Sequence, residues 1–406
     1  MSSIFTIRGK RISSGVGYES IRKRGYFVLP LAVTLIGFFF FISPPNTYAA
    51  ATTTTYELDP KTPYESTVAC AGLNGSWSNG TSTCTLWPAH NFILEPGGSI
   101  RVEAGASLNI TGPVLTISSG SSLVNFGTIN NDGFIYSPGV IDNRKDGIIN
   151  VGFGVPIGYS ISLSGAIINN SGVIVLKSGD ITSYRAFVNS GTIVIDGGRF
   201  DNGGGAHLEN LGNITNKANL NNYDRINNYG SIDNYNGSRI YNVDSGTIAN
   251  YRGGRINNDG GTIFNMGGIE NAGVIINKGV IDSYGPITNS WDILNNGPSG
   301  VIINHNIGTI DNKGGIDNSG NITTVWGRFD NSGIIRNGCD GVISGTISGN
   351  PVPNACTSTT TTTTTSTFTA TTSIERVAEP AIYAWAIGAT VATVILAVIL
   401  LLRRTR

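Results

Sequence analysis

The chain has 406 residues, and its 26 Lys and Arg balance 26 Asp and Glu to a formal net charge of zero. Only 13% of residues are charged, while glycine reaches 55 without a collagen-like triplet. This excludes a helical or α/β enzyme domain rich in Leu, Ala, Glu and Lys. It equally excludes a nucleic-acid binder, which needs a basic surface to neutralise phosphates.

The N-terminus reads as a signal peptide over residues 1–50. Arg8, Lys10, Arg11, Arg22, Lys23 and Arg24 precede an apolar run from Tyr26 to Ile42, and small residues follow at Ala49 and Ala50. A basic region, an apolar region and a small-residue site in that order mark export. Residues 51–91 form a Thr-rich lead and an N-terminal cap holding Cys70, Trp77 and Cys84.

Residues 92–350 repeat. An aliphatic residue recurs every six positions at Leu208, Ile214, Leu220, Ile226 and Ile232, then every eight at Ile240, Ile248 and Ile256. Steps of six return from Ile263 to Ile293, and Ile302, Ile310, Ile316, Ile322 and Phe329 continue less evenly. The unit is I-x-N-x-G-x. A six-residue step does not match the 3.6-residue helical period, and Gly with Asn disfavours helix. In a strand, positions i, i+2 and i+4 share a face, so Ile226, Asn228 and Gly230 point one way. Such strands are too short to stand alone, but stacked coils bury a continuous core. The expectation is an all-β, single-stranded β-solenoid. Asn and Gly make its bends through left-handed backbone, and corner Asn side chains form ladders. Three hexads per coil give about 18 residues, hence roughly 13 to 14 coils and a rod about 60–65 Å long at strand spacing.

Four cysteines allow three pairings. Cys70–Cys84 and Cys339–Cys356 are favoured, because the two pairs bracket a rod whose ends cannot meet. A zinc site is disfavoured by the spacings. Residues 351–379 hold the end of the cap and a Thr/Ser-rich stalk, which cannot bury a core. Residues 380–402 read as a transmembrane helix, being free of charge from Ala381 to Leu402. Arg403, Arg404 and Arg406 in the tail 403–406 fix a cytoplasmic C-terminus, giving a single-pass type I protein at the cell surface. Sequons at Asn74, Asn79, Asn109, Asn169, Asn213, Asn236 and Asn321 suit an exported glycoprotein.

The segment Cys70-x-Gly72-x-Asn74-Gly75-x-Trp77 through Cys84, the lead-in Glu95-Pro96-Gly97-Gly98-Ser99 and the Ile-x-Asn-x-Gly units resemble the Asn/Gly-rich β-helical surface proteins of archaea, especially ammonia-oxidising types. Filamentous-haemagglutinin-type rods and pectin-lyase-like β-helices are more distantly similar. The resemblance covers about residues 65–350. It implies a cell-surface β-helix, right-handed, and carries no catalytic residues.

Polysaccharide-degrading β-helices need paired carboxylates or acidic calcium sites. Asp233 and Asp311 occupy the outward slot after Ile, which Asn227 and Asn257 fill in other coils. Asp142, Arg144, Lys145 and Asp146 read as a solvated loop, and His90, His207 and His305 share no spacing. No catalytic residue, metal ligand or cofactor is assigned. Tyr223, Tyr229, Tyr235 and Tyr251 each follow a repeat Asn and face outward, with Arg225, Arg239, Arg252 and Arg255 among them. Exposed aromatic rings stack on sugars, and Arg hydrogen-bonds hydroxyls or carboxylates. These residues are the candidate glycan-contact patch; the alternative is that they coat the rod. The expected function is adhesion or cell-envelope and glycan interaction without catalysis, with lateral self-association as a further contact. A surface polysaccharide lyase or hydrolase, and a purely structural envelope component, are the competing readings.

Overall fold

The computed structural model describes residues 54–87, 91–112, 114–152, 160–163 and 167–353. Nearly all strands have four residues, and three parallel sheets of 14, 13 and 14 strands run side by side. From the strand Thr83–Leu86 onward each strand pairs in parallel with the strand three places along the chain, so the backbone winds as a three-sided β-solenoid of about 12 turns. The first sheet begins with Thr55–Leu58, the second with Phe92–Leu94 and the third with Gly75–Ser78.

The I-x-N pattern explains the register. In strand Arg225–Asn228, Ile226 and Asn228 are fully buried. Ile226 stacks beneath Ile248, which stacks beneath Ile269. Aliphatic residues therefore form one continuous column per sheet, and burial of each such side chain contributes about 1.5–3 kcal/mol.

The buried asparagines form ladders at the strand ends. On the first sheet each Nδ2 from Asn125 through Asn143, Asn170, Asn189, Asn210 and Asn228 donates to the Oδ1 one coil on, at 2.7–2.8 Å. The same bond continues from Asn250 through Asn271, Asn289 and Asn312 to Asn331. A third-sheet ladder runs from Asn216 to Asn337. The second-sheet ladder links Asn202, Asn222, Asn242 and Asn265 and ends on Ser283 Oγ. Every bond points the same way along the rod, so a ladder's first Oδ1 has no donor beneath it. Asn125 and Asn202, which start the first- and second-sheet ladders, accordingly each keep a buried Oδ1 without a partner; so does Asn304, whose Nδ2 donates to the Arg328 carbonyl and to no ladder residue. Below them lie Val102, Ser183 and Ser283; the two serines donate instead to the carbonyls of Arg185 and Gly285.

Two expectations are corrected. Coils are not uniformly 18 residues: successive ladder asparagines lie from 18 to 27 positions apart. Among the described residues the corners differ in length, from the two residues Tyr229-Gly230 to the five of Asn296–Gly300. The bends also do not use left-handed asparagine. Among the described residues of the repeat, no Asn has positive φ; those that do are Asp146, Trp326 and certain glycines. The Asn is kept for its amide. At two-residue corners the glycine is kept for close approach, since a Cβ at Gly230 would lie 2.0 Å from the Gly212 carbonyl oxygen.

The N-terminal end is closed by helix α1 (Pro63–Gly72) and the antiparallel pair Gly75–Ser78 with Thr83–Leu86. A Cys70–Cys84 disulfide joins them. Thr55–Leu58 and Thr83–Leu86 pair directly into the first and third sheets, so the solenoid proper starts within the expected cap. Cys339 is also disulfide-bonded; Cys356, the signal segment, His90, the stalk and the expected membrane span lie outside the described residues. Among the described residues no helix is long and apolar enough to cross a membrane.

Candidate contact face on the first sheet

Strand alternation places residues one and three of each four-residue strand outward. On the first sheet this aligns His207, Arg225, Thr247 and Gly268 in one outer column, with Glu209, Asn227, Ala249, Glu270 and Thr288 in the next. Ala249 is the break in the second column. Its short side chain is 2% exposed, and beside it lies a hollow lined by Tyr251, Glu270, Ala272, Thr288 and Ser290.

A hydrogen-bond chain fixes the lower wall. His207 Nε2 and Asn227 Nδ2 are 3.0 Å apart, and Arg225 Nε donates to Asn227 Oδ1 at 2.8 Å. Arg225 Nη2 donates to the Tyr251 hydroxyl at 3.0 Å, with Glu270 Oε2 at 3.9 Å. The Tyr251 hydroxyl and the Glu270 carboxylate raise the affinity of the guanidinium for its proton, the hydroxyl contact contributing most. Tyr229 and Tyr251 stack with centroids 4.5 Å apart and planes within 6°. Desolvation, then the neighbouring Tyr251 and Glu209, push the Tyr229 phenol above its ordinary value. Just beyond, the Arg252 guanidinium lies 5.9 Å from the centre of the half-exposed Trp291 ring.

The structure thus brings together Tyr229, Tyr251 and Arg225 from the sequence-derived patch. Arg252 follows Tyr251 in the same corner; the others are separated. Tyr223 follows Asn222 at the edge between the second and first sheets; Tyr235 follows Asn234 at the edge between the third and second. Arg239 opens a second-sheet strand, and Arg255 lies on the third sheet. Glu270, Thr288 and Ser290 were missed because coil length sets their register against Arg225. Asn227, expected in a solvent-facing slot, is only 8% exposed under this network.

The remaining titratable groups sit mostly in local pairs. Asp142 contacts Arg144, Asp311 contacts Lys313, and Asp233 accepts from Asn257. His305 Nε2 meets Asp282 Oδ1 at 2.6 Å and its ring stacks on Tyr284 at 4.0 Å. Asp201 is nearly enclosed between Arg199 and Asn221, and burial raises its pKa above 3.8. Among the described residues no group of three His, Cys, Asp or Glu is placed to hold a metal.

The three edges of the prism differ. The edge from the third to the second sheet carries the ion pairs Lys217–Asp196 and Lys278–Asp259. The edge from the second to the first carries exposed Tyr184, Tyr223, Met266, Ile307, Val325 and Trp326. Trp326 is 88% exposed and holds φ at 65°, a left-handed conformation rare for a bulky residue.

No family model matches this chain, and neither does any curated protein or solved structure.

Proposed function

We propose that the protein is a cell-surface β-solenoid that contacts an extracellular glycan or envelope component without chemistry. In this reading residues 1–50 direct export, 351–379 form the stalk, 380–402 span the membrane and 403–406 remain in the cytoplasm. The coil is right-handed, and the relatives are the Asn/Gly-rich archaeal surface β-helices. The carrying observation is the hollow beside Ala249. It offers the Glu270 carboxylate and the Thr288 and Ser290 hydroxyls as hydrogen-bond partners, next to the Tyr251 ring. A carboxylate accepts from vicinal sugar hydroxyls, and an aromatic wall suits the C–H face of a pyranose. A neutral hexose unit is therefore the favoured ligand. A repetitive rod adds such weak contacts together through multivalency.

The test is full-length protein in nanodiscs, exposed to a panel of neutral and acidic polysaccharides while retention and new chain ends are followed. Retention of neutral chains without new ends supports the contact rod. New ends would replace it with the lyase or hydrolase reading. With neither, the structural envelope role takes its place.

A further inference from the structure

Asparagine serves two separate purposes in this fold, and the sequons fall entirely in one of them. The ladder asparagines from Asn125 to Asn331 are 0–2% exposed, and none has Ser or Thr two positions on. The residue at that place is commonly the corner glycine, as in Asn210-Leu211-Gly212 and Asn228-Tyr229-Gly230. The seven sequon asparagines all lie outside the buried set. Their positions around the prism are uneven. Asn74 and Asn79 flank the first strand of the third sheet, Asn109 and Asn213 lie on that sheet, and Asn236 follows its strand Ser231–Tyr235. Only Asn169 and Asn321 belong to the first and second sheets. The edge from the second to the first sheet has no sequon among the described residues. In a three-sided prism that edge faces directly away from the third sheet, and it is the apolar edge ending in Trp326.

Five sequon asparagines are exposed: Asn74, Asn79, Asn213 and Asn236 on or beside the third sheet, and Asn169 on the first. Three of them lie on the third sheet and its edges outside the helix-to-strand junction at Asn74. Asn79, Asn213 and Asn236 are exposed, and the Nδ2 of each donates no hydrogen bond within the fold. Asn79 lies in the turn before Thr83–Leu86, and Asn236 precedes Gly237, whose φ of 79° marks a tight exposed turn. Asn213 only accepts, through Oδ1, from Ser231 Oγ.

We infer that Asn79, Asn213 and Asn236 carry N-linked oligosaccharide, so that one side of the rod is glycan-coated and the opposite edge stays bare. The inference rests on the export reading above. The co-reactant is a lipid-phosphate-linked oligosaccharide presented by a membrane transferase. Asn Nδ2 attacks the anomeric carbon; the N–C bond forms, the C–O bond to phosphate breaks, the lipid phosphate leaves with the electron pair, and the amide gives up one proton to a base. Chains on the third sheet would hold that side away from neighbours and orient the first-sheet hollow and the Trp326 edge outward.

The experiment expresses the full chain in cells that carry N-glycan transferase. Protease shaving of intact cells establishes surface exposure, and glycopeptide mass spectrometry maps the occupied sites. The expected result is a surface-exposed chain with glycan at all three positions. Asn79→Gln, Asn213→Gln and Asn236→Gln should each remove one glycan mass and leave the melting transition in place. Ser238 is retained, because its Oγ donates to Asn234 Oδ1 inside the ladder. A surface-exposed chain bare at these three asparagines overturns the inference and leaves the export reading intact. A chain that shaving cannot reach overturns both.

Discussion

Arg225 reaches across one coil to Tyr251, its Nη2 donating to the phenol oxygen at 3.0 Å over 26 residues of chain. The bond fixes the Tyr251 ring at the wall of the Ala249 hollow while the ring's face lies on Tyr229. Stacked rings cover one another, so Tyr229 and Tyr251 cannot both offer two faces to a ligand.

This separates two variants. Tyr251→Phe keeps the stack and loses the hydrogen bond to Arg225, so retention of a neutral polysaccharide should weaken about three- to tenfold, the usual range for one hydrogen bond. Tyr251→Ala opens the wall and should abolish retention. Tyr223→Ala and Tyr235→Ala, on the other edges, should leave it unchanged. Column retardation of the variants checks this; an effect of Tyr235→Ala equal to that of Tyr251→Ala would move the site off the first sheet.

The ladders make a stability prediction. Asn228→Ala leaves Asn210 Nδ2 without its 2.7 Å acceptor and Asn250 Oδ1 without its 2.8 Å donor. Each buried orphan costs about 1–3 kcal/mol. Solenoids open locally, so the change should appear in hydrogen exchange as lost protection over residues 207–271, with distant coils unaffected. Ser183→Asn would place a donor beneath the unpaired Asn202 Oδ1 but leave its own Oδ1 over Leu163, which has no donor. The orphan moves one coil down, so local stability should change by less than about 1 kcal/mol.

The glycines separate by mechanism rather than by composition. At Gly230 a methyl group would collide with the Gly212 carbonyl at 2.0 Å, backbone against backbone. Gly230→Ala should therefore destabilise by more than about 3 kcal/mol or shift the coil. A Cβ at Gly204 meets nothing within 4 Å, and its φ is not left-handed. Gly204→Ala should be neutral or stabilise by about 0.5 kcal/mol through a less flexible unfolded chain. Parallel thermal melts of the two variants check both signs.

Asp201 gives the pH dependence. Burial is the largest influence on it and raises its pKa above 3.8, outweighing the hydrogen bond from Asn221 and the charge of Arg199. A raised carboxyl pKa means the folded state binds the proton more tightly than the unfolded chain does. Its contribution is then most favourable below the unfolded value and is lost as pH rises through the folded one. Asp201→Asn should stabilise the second-sheet coils at neutral pH, and the difference from wild type should close as pH falls towards 3.8. Melting curves across pH 3 to 7 read the trend, about one decade of proton affinity being worth roughly 1.4 kcal/mol. A gap that widens on acidification would show that the Arg199 ion pair outweighs burial.

Much of the fold is legible because one residue pair carries it. Ile226 and Asn228 sit two apart, so alternation sends both inward, and the same pair recurs in nearly every strand. Coil length is not legible from the hexads, because turns of two residues and of four both keep the strand register. That is why Tyr229 and Tyr251, 22 positions apart, meet at one edge while Tyr229 and Tyr235, only six apart, fall on different ones. The Ala249 hollow has no sequence signal of its own; it exists because a small residue falls between Asn227 and Glu270 in the stacked register.

Trp326 combines backbone strain with exposure, and the two make opposite demands. Its φ of 65° is one that glycine adopts freely and that costs an L-residue roughly 1–2 kcal/mol. Its ring is 88% exposed, beside Val325 and one coil beyond the 73% exposed Ile307. Nothing in the folding of this edge calls for a tryptophan there. Trp326→Gly should raise the melting temperature by relieving the backbone. The same substitution should reduce lateral association of rods, measured by sedimentation of the full-length protein in nanodiscs at rising concentration. Trp326→Phe keeps an aromatic ring with the same strain, so it should leave both association and melting close to wild type. If Trp326→Gly stabilised the coil but left association unchanged, the apolar edge would lose its role in lateral contact and the first-sheet hollow would remain as the contact face.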